Sequence, residues 1–223
     1  ISTDIIVCRC NLPFSADIKD KIALFCDVER DAVIMCPDES SIYDVPILLE
    51  NEKIDKVVLN SFGMEKKDSD LSDWKNYIDV LHKKDKPTCN IALVGKYTSL
   101  SDSYLSVVES LKHSAAKNQC DVTINLINSE QLNEDNVEAI LKVNDGILIP
   151  GGFGDRGIEG KILAAKHARL NNIPYLGLCL GMHIAVIEYA RTELKLNDAN
   201  STEFNPNSNH PIIHLLEEQV SIK

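Results

Sequence analysis

From Asn90 onward the chain alternates short apolar runs with amphipathic segments, and this rhythm limits its fold more than any other feature. The runs NIALV, VTINLIN, DGILI and IPYLG have the length of buried strands. The segments between and after them are typical of helices: SDSYLSVVESLKHSAAKN, NEDNVEAILKV, GKILAAKHARLNN and LGMHIAVIEYAR. Strands that alternate with helices predict an α/β fold with a doubly wound parallel sheet, whose active residues lie beyond the strand carboxyl ends.

The chain before Asn90 divides into two stretches of different character. Residues 1–62 predict part of an α/β domain, with strands DIIVCR and AVIMC and a helix that begins after Ser15 as N-cap. We expect a further helical stretch, SSIYDVPILLENEKI, to be interrupted near Pro46. Residues 63–88 are charged and lack strand signals, so we interpret them as an inter-domain linker with one helix around Trp74–Leu81. Residues 89–223 form the larger domain.

Composition excludes several classes of function. A net charge of −11 argues against a nucleic-acid partner, and no apolar run reaches the roughly 18 residues that span a membrane. The seven cysteines lack the paired C-x-x-C spacing of a zinc site, so we expect no metal site and reduced thiols in a cytoplasmic protein. The opening ISTDIIVCRC has no initiating Met or secretory leader, and we expect an internal portion of a longer polypeptide.

The strongest chemical signal is Cys179 in the sequence GLCLG. A strand runs directly into a helix there, and the glycines at 177 and 181 allow the sharp turn of a nucleophile elbow. The positive end of the following helix favours the thiolate over the thiol. We therefore predict that Cys179 is a nucleophile exposed at the end of the sheet.

A second glycine turn, PGGFG, follows the strand DGILI directly. Glycines at a strand end leave backbone N–H groups that can bind the oxyanion of an acyl-transfer intermediate. A base for the thiol is harder to find, because no histidine follows a late strand end with an acidic neighbour to orient it. We expect His113 and His167 to be solvated or hydrogen-bonded, and His183 to line the pocket without acting as the base. The six histidines are His82, His113, His167, His183, His210 and His214.

These residues resemble the CTP synthase family over nearly the whole chain. Its glutaminase domain is similar to NIALVGKYTSLSDSYLSVVESLKHSA, PGGFGDRGIEGKI, NNIPYLGLCLGMHIAVIEYAR and NDANSTEF. The segment KIALFCDVERDAVIMCPDESSIYDVPILL resembles the end of its synthetase (amidoligase) domain. The resemblance implies a flavodoxin-like class I glutaminase domain preceded by the C-terminal part of a P-loop-type α/β amidoligase domain. It also implies ATP-dependent amination of UTP to CTP, with ammonia released from glutamine.

The resemblance also implies roles for individual residues. Cys179 matches the thiol that attacks the glutamine amide. The oxyanion hole corresponds to Gly152 with the backbone of Leu180, and Gly151 and Phe153 flank the glutamine. Glu203 matches the carboxylate that holds the ammonium group of glutamine, and His183 belongs to the same glutamine-binding set. A lid that mediates activation by GTP corresponds to Arg156, Gly157 and Glu159. The UTP/CTP site corresponds to Lys21 and Phe25, and the ATP site to Arg9 and Asp38. The family further implies Mg²⁺ with ATP and a homotetramer assembled through the synthetase domain.

Three departures from the family leave alternatives open. His183 replaces the usual Gln of the elbow, no P-loop sequence occurs in the chain, and the family's His-x-Glu pair is not found. One alternative is a free-standing class I glutaminase subunit of another synthase. The other is a catalytically incomplete fragment that serves only as a binding or assembly module.

Overall fold

The first of two compact units ends at Lys84, and its described residues contain a parallel pair of strands with four α-helices. The computed structural model describes residues 3–65, 68–98 and 100–216, and its two units divide between Lys84 and Asp85. The elements of the first unit are β1 (Ile6–Cys10), α1 (Ala16–Cys26), β2 (Val33–Pro37), α2 (Val45–Asn51), α3 (Ile54–Ser61) and α4 (Ser72–His82). Strands β1 and β2 are the two strands expected from the sequence, and Ile6 lies opposite Val33 in their register.

In two helices of this unit, a serine or a proline stands at the helix start. Ser15 is the N-cap of α1, as predicted, although its backbone carbonyl rather than its side chain accepts the first N–H groups. The expected interruption at Pro46 is wrong, because Pro46 lies in the first turn of α2. Proline fits there because the first helical N–H groups have no intrahelical acceptor.

Helix α4, which falls within the predicted linker, packs against the rest of the first unit. The indole Nε1 of Trp74 donates to the Tyr43 carbonyl at 2.9 Å, and the two ring centroids lie 5.9 Å apart. The helix expected around Trp74–Leu81 therefore forms and buries aromatic surface. The domain limits at residues 62 and 88 stay predictions.

The second unit contains a parallel sheet of four strands. Its elements are β3 (Thr88–Gly95), α5 (Leu105–Lys117), β4 (Asp121–Asn128), α6 (Val137–Leu141), β5 (Gly146–Ile149), α7 (Ile158–Leu170), β6 (Tyr175–Gly177), α8 (Leu180–Thr192), β7 (Asn200–Ser201) and β8 (Pro211–Ile213). The strand order is β4-β3-β5-β6, and every pair is parallel. The predicted α/β rhythm is confirmed, and β7 pairs with β8 in a small separate ribbon.

Both faces of the sheet are covered because successive residues of its central strands point to opposite sides. Ala92 and Val94 of β3 belong to the larger apolar cluster, with buried residues of α7 and α8. Leu93 of β3 and Leu148 of β5 belong to a second cluster, against α5. Helices on both faces make the sheet doubly wound, as the sequence predicts.

The strand order creates a crevice at the carboxyl ends of β3 and β5. The chain leaves β3 toward β4 on one side and returns to β5 on the other side, so the direction of strand addition reverses between them. Ligands of open α/β sheets bind at such reversals. Lys96 follows β3 and the PGGFG turn follows β5, so both border this crevice.

Two predicted helices differ at their first residues. The helix expected over NEDNVEAILKV is confined to Val137–Leu141, because the Asn133 side chain accepts the N–H groups of Asp135 and Asn136 and holds a turn instead. The helix expected from Ser101 begins as a 3₁₀ turn, Ser101–Tyr104, before α5. Within the described residues, none of the helices is long and apolar enough to cross a membrane.

Helices α7 and α8 are joined by a largely buried ion pair. Arg169 donates to both carboxylate oxygens of Glu188 at 2.9 Å, and Glu188 is only 2% exposed. Arg169 also contacts Glu193 at 2.7 Å, where the carboxylate is 43% exposed. The hydrogen bond to Glu188 raises the pKa of Arg169. The pair fixes α8, and hence the elbow at its start, against α7.

Replacing Arg169 with Met should lower the free energy of unfolding by about 3 kcal/mol, because it leaves the Glu188 carboxylate buried without its partner. Urea unfolding of the chain measures this change. Glu193→Gln is the matched control on the same guanidinium and should cost less than about 1 kcal/mol. Equal losses in the two variants would contradict the assignment of the stability to the buried pair.

Candidate active site

Cys179 stands at the junction of β6 and α8 with a strained backbone. Its φ of 52° and ψ of −104° are rare for a residue with a side chain. Strain of this kind persists only where the surrounding structure enforces it, and it is concentrated at functional sites. The thiol is exposed, and all seven cysteines are free. The predicted elbow is therefore present.

The two glycines of the elbow are required by close backbone contacts. A Cβ on Gly177 would lie 2.4 Å from the carbonyl carbon of Gly181, and one on Gly181 would lie 2.2 Å from the Ile149 carbonyl oxygen. That same oxygen accepts the N–H of Leu178 at 2.9 Å. The start of α8 is thus pressed against the ends of β5 and β6, with the thiol above the contact.

The second glycine turn lies beside the elbow. A Cβ on Gly151 would be 3.6 Å from the Cβ of Cys179, and one on Gly152 would be 3.5 Å from Cδ2 of Leu180. Leu180 begins α8, where N–H groups have no intrahelical acceptor. The structure therefore brings together the predicted nucleophile and both residues predicted for the oxyanion hole. Phe153, at the tip of the turn, is 82% exposed.

Glu203 reaches the same turn from the polar segment after α8. Its Oε1 accepts the N–H of Gly154 at 2.9 Å. The loop that carries Glu203 is held by the buried Ser201, which accepts the Glu203 N–H at 3.2 Å. The adjacent Phe204 packs on the core cluster of α7 and α8. The carboxylate predicted for the glutamine ammonium group therefore lies at the PGGFG turn.

Two lysines gather at this end of the sheet. Lys96 donates from Nζ to the carbonyl of Phe153. Lys161, in the first turns of α7, is 1% exposed. Burial, and then the charge of Lys96, lower the pKa of Lys161 to about 8. The turn therefore has the Lys96 ammonium on its Phe153 carbonyl and the Glu203 carboxylate on its Gly154 N–H, and Lys161 is close enough for the Lys96 charge to act on it.

The three residues predicted for the GTP lid lie at the start of α7. Arg156 lies 3.3 Å from Glu130 and 5.4 Å from the ring centroid of Tyr97. Gly157, with a φ of 73°, is the N-cap of α7. Glu159 accepts two hydrogen bonds from Arg191, whose Nε also donates to the Ala199 carbonyl at 2.8 Å. Glu159 is thus connected through Arg191 of α8 to Ala199, four residues before Glu203.

One histidine differs from expectation. His210 does have an orienting carboxylate, because its Nδ1 is hydrogen-bonded to Asp198, twelve residues earlier in sequence. His167 is buried, and its Nδ1 is hydrogen-bonded to Nδ2 of Asn171 at 3.3 Å, one of the two states expected for it. Its Nε2 has no hydrogen-bond partner among the described residues. The Nδ1 of His183 is likewise buried without a partner in that part of the chain. No described hydrogen bond joins a histidine side chain to Cys179.

The nucleotide-site residues predicted in the first unit form two pairs. Arg9, in β1, lies 3.3 Å from the carboxylate of Asp38, which directly follows β2. Lys21 and Phe25 are exposed and one helical turn apart on α1, so they share a face. The described residues contain no group of three or more histidine, cysteine or acidic side chains that could hold a metal ion.

Sequence reasoning missed Lys96, Lys161 and the Asp198–His210 pair. Lys96 stands in the motif IALVGKY directly after a strand, and residues at that place in an α/β sheet border the ligand crevice. That position was a usable signal. Lys161 carries no comparable signal, since a lysine in a helix is ordinarily solvated.

The sequence matches two protein families. Residues 99–220, more than half the chain, match the profile of glutamine amidotransferase class-I. The chain belongs to this family. Residues 1–64 match the profile of the CTP synthase N-terminus. The amidotransferase match covers the elbow, the PGGFG turn and Glu203 together.

Individual relatives of this amidotransferase are CTP synthases. The chain is 50% identical over 222 residues to CTP synthase of Caldanaerobacter subterraneus and 47% identical over 223 residues to that of Bacillus subtilis. Each match covers all of this chain but only 41% and 42% of the relative, so the chain spans about two-fifths of their length. The glutaminase domain of a Trypanosoma brucei CTP synthase with bound acivicin is 43% identical, with a TM-score of 0.54 over 58% of this chain and 50% of that one. The matched part of this chain therefore has the class I amidotransferase fold.

Substituting Gly181 with Ala should lower the free energy of unfolding by about 2 kcal/mol, because the added methyl group meets a backbone oxygen. Thermal or urea unfolding measures the loss. Gly146→Ala is the matched control, since its methyl group would crowd the terminal carbon of Ile91, at 2.9 Å, and that side chain can rotate away. The nearest backbone atom, the Pro174 carbonyl oxygen, would lie at an ordinary contact distance of 3.7 Å. Equal stability of wild type and Gly181→Ala would contradict the close contact at the elbow.

The Asp198 carboxylate should stabilise the loop before β8 in a pH-dependent way. Hydrogen bonds from His210 and Asn209 lower its pKa to about 2. A carboxyl group whose pKa is lower in the folded state stabilises it above the unfolded value near 4 and loses that effect as the pH falls toward 2. The stability difference between wild type and Asp198→Asn, from urea unfolding, should therefore shrink between pH 5 and pH 2. A difference that stays constant over this range would be the contrary result.

Proposed function

We propose that this chain carries the glutaminase site of a CTP synthase. The observation that supports it most is that three parts meet at one end of the sheet. They are the thiol of Cys179, whose backbone is strained, the PGGFG turn, and Glu203. A thiol beside an oxyanion turn suits acyl transfer. A carboxylate at the same turn suits a substrate with an ammonium group, which free glutamine has.

In the proposed reaction, the Cys179 thiolate attacks the side-chain amide carbon of glutamine. The carbonyl oxygen becomes an oxyanion, which the N–H groups at Gly152 and Leu180 stabilise. Collapse of this intermediate breaks the C–N bond as the nitrogen takes up the proton that the thiol gave up, so ammonia is released and a thioester remains on Cys179. Water then hydrolyses the thioester to glutamate and restores the thiol. Glu203 binds the substrate ammonium through the oxygen that Gly154 does not occupy. We assign no residue of this chain as the base.

The ammonia would serve the amination of UTP to CTP, with ATP as phosphoryl donor. The match of residues 1–64 to a CTP synthase N-terminus supports this, and it disfavours a free-standing glutaminase subunit. Lys21 and Phe25 would contact UTP or CTP, and Arg9 and Asp38 would lie near the adenine of ATP. Mg²⁺ would accompany ATP, and we assign no phosphoryl-transfer step to residues of this chain.

Activation and assembly follow the same relatives in our proposal. Arg156, Gly157 and Glu159 would form the lid through which GTP activates glutamine hydrolysis. The bonds from Arg191 to both Glu159 and Ala199 support a link between that lid and the Glu203 loop. The protein would act in the cytoplasm as a homotetramer built through the synthetase domain, with neither nucleic acid nor membrane as partner.

Replacing Cys179 with Ala in the intact enzyme should abolish glutamine-dependent CTP formation, by at least about 1,000-fold, because no other thiol stands on the elbow. Formation of CTP from added ammonia should remain, since it bypasses the thioester. Spectrophotometric assays with each nitrogen source measure both rates. Cys26→Ala, which removes another exposed thiol, should leave both unchanged. Loss of both activities, or of neither, in the Cys179 variant would refute the proposal.

A non-catalytic role as a binding module makes a different prediction at the same thiol. A glutamine analogue with a diazomethyl ketone in place of the amide should label Cys179 faster than it labels free cysteine. Labelling no faster than free cysteine would favour the binding module instead.

A further inference from the structure

The peptide group between Phe153 and Gly154 is held at both of its polar ends. Its carbonyl accepts a hydrogen bond from Lys96 Nζ, and its N–H donates to Glu203 Oε1 at 2.9 Å. We propose that Lys96 is a positioning residue of the glutaminase site, which together with Glu203 fixes this peptide and so the orientation of the oxyanion turn. The inference rests on the glutaminase function proposed above.

The two bonds oppose rotation of one rigid unit. A peptide bond is planar, so its C=O and N–H groups turn together. With a cation on the oxygen and an anion on the N–H, rotation of this peptide would break two charge-assisted hydrogen bonds at once. This peptide turns about the backbone bonds of Phe153 and Gly154, and Gly154 has no side chain to resist such rotation. Lys96 and Glu203 supply a restraint from outside the turn.

The stem of Lys96 also supports the residue proposed to bind the oxyanion. A Cβ on Gly152 would lie 3.9 Å from Cε of Lys96, and one on Gly154 would lie 4.0 Å from its Nζ. The side chain thus runs along the turn from Gly152 to the Phe153 carbonyl. A change in its position would be felt at the N–H of Gly152, although Lys96 itself is not proposed to touch the substrate.

The backbone of Lys96 is itself fixed at the end of β3. The Tyr104 hydroxyl accepts the N–H of Lys96 at 3.1 Å, and Tyr104 is buried. A Cβ on Gly95 would lie 2.3 Å from that hydroxyl, so the strand end packs directly on the tyrosine. The backbone of Lys96 is therefore held in place at the end of β3, and its side chain extends from there to the PGGFG turn.

The buried Lys161 adds an electrostatic reason for this placement. The described residues give its ammonium group no carboxylate partner, and Lys96 is the charged group that acts on it. Like charges repel more strongly where water is excluded. The hydrogen bond to the Phe153 carbonyl therefore offsets part of the repulsion between the two ammonium groups.

The test compares inactivation of the intact enzyme by the diazomethyl ketone analogue of glutamine, without added nucleotide. Lys96→Met keeps the stem and removes the donor. It should lower the limiting inactivation rate at Cys179 by roughly 10- to 100-fold, the range expected for a displaced oxyanion donor. The half-saturating concentration of the analogue should change little, because the ammonium site is intact. Lys96→Arg restores a donor and should recover most of the rate.

Three controls separate positioning from general damage. Iodoacetamide needs neither the turn nor Glu203, so its reaction with Cys179 should be equal in wild type and Lys96→Met. Lys117→Met, at an exposed lysine of α5, should inactivate like wild type. Glu203→Gln keeps an oxygen for the Gly154 N–H but loses its charge, so it should mainly raise the half-saturating concentration. If Lys96→Met is too unstable to measure, Tyr104→Phe can be used instead. It removes the hydroxyl that accepts the Lys96 N–H and should also lower the limiting inactivation rate.

The outcomes distinguish this inference from the function beneath it. An unchanged limiting rate in Lys96→Met, an equal fall with iodoacetamide, or no recovery in Lys96→Arg would overturn the positioning role alone. Failure of the wild-type enzyme to react with the analogue at Cys179 would overturn the proposed function and this inference with it.

Discussion

The contact between the start of α8 and the end of β5 is the constraint on which the rest of the site depends. The Ile149 carbonyl accepts the Leu178 N–H and leaves no room for a side chain on Gly181. This contact sets the helix at the sheet edge and forces the residue between into a strained conformation. It also brings the first N–H of α8 beside the PGGFG turn, which leaves the same strand. One backbone contact thus places the proposed nucleophile and the proposed oxyanion turn together.

Lys96 and Glu203 are arranged around neutral backbone rather than as an ion pair. They do not meet each other; each binds one end of the same peptide group. A direct Lys–Glu pair would hold the two side chains but not the turn. The buried Lys161 of α7 is a second positive charge close enough for Lys96 to act on it. Positive potential at this edge favours a developing oxyanion.

Local signals were sufficient for the elbow, the glycine turn and the order of strands and helices, because each depends on neighbours in sequence. Pro46 misled because proline ends helices and also begins them, and only the structure shows which applies. Asn133 shortened a helix through its own side chain. The Asp198–His210 pair and the Lys96–Phe153 bond were not readable, since they join residues 12 and 57 positions apart. Such contacts depend on strand order and loop path, which local patterns do not encode.

The glycines at 95 and 181 differ in whether a second substitution elsewhere could make room for a side chain. A methyl group at 181 would collide with a backbone oxygen, which remains whatever side chain occupies position 149. No second substitution can make room, so this glycine should be invariant in any homologue that keeps the elbow. A methyl group at 95 would collide with the Tyr104 ring and hydroxyl, which a smaller residue would remove. Positions 95 and 104 are therefore expected to covary among homologues. A homologue that replaces both residues would also lose the hydrogen bond from the Lys96 N–H to the Tyr104 hydroxyl.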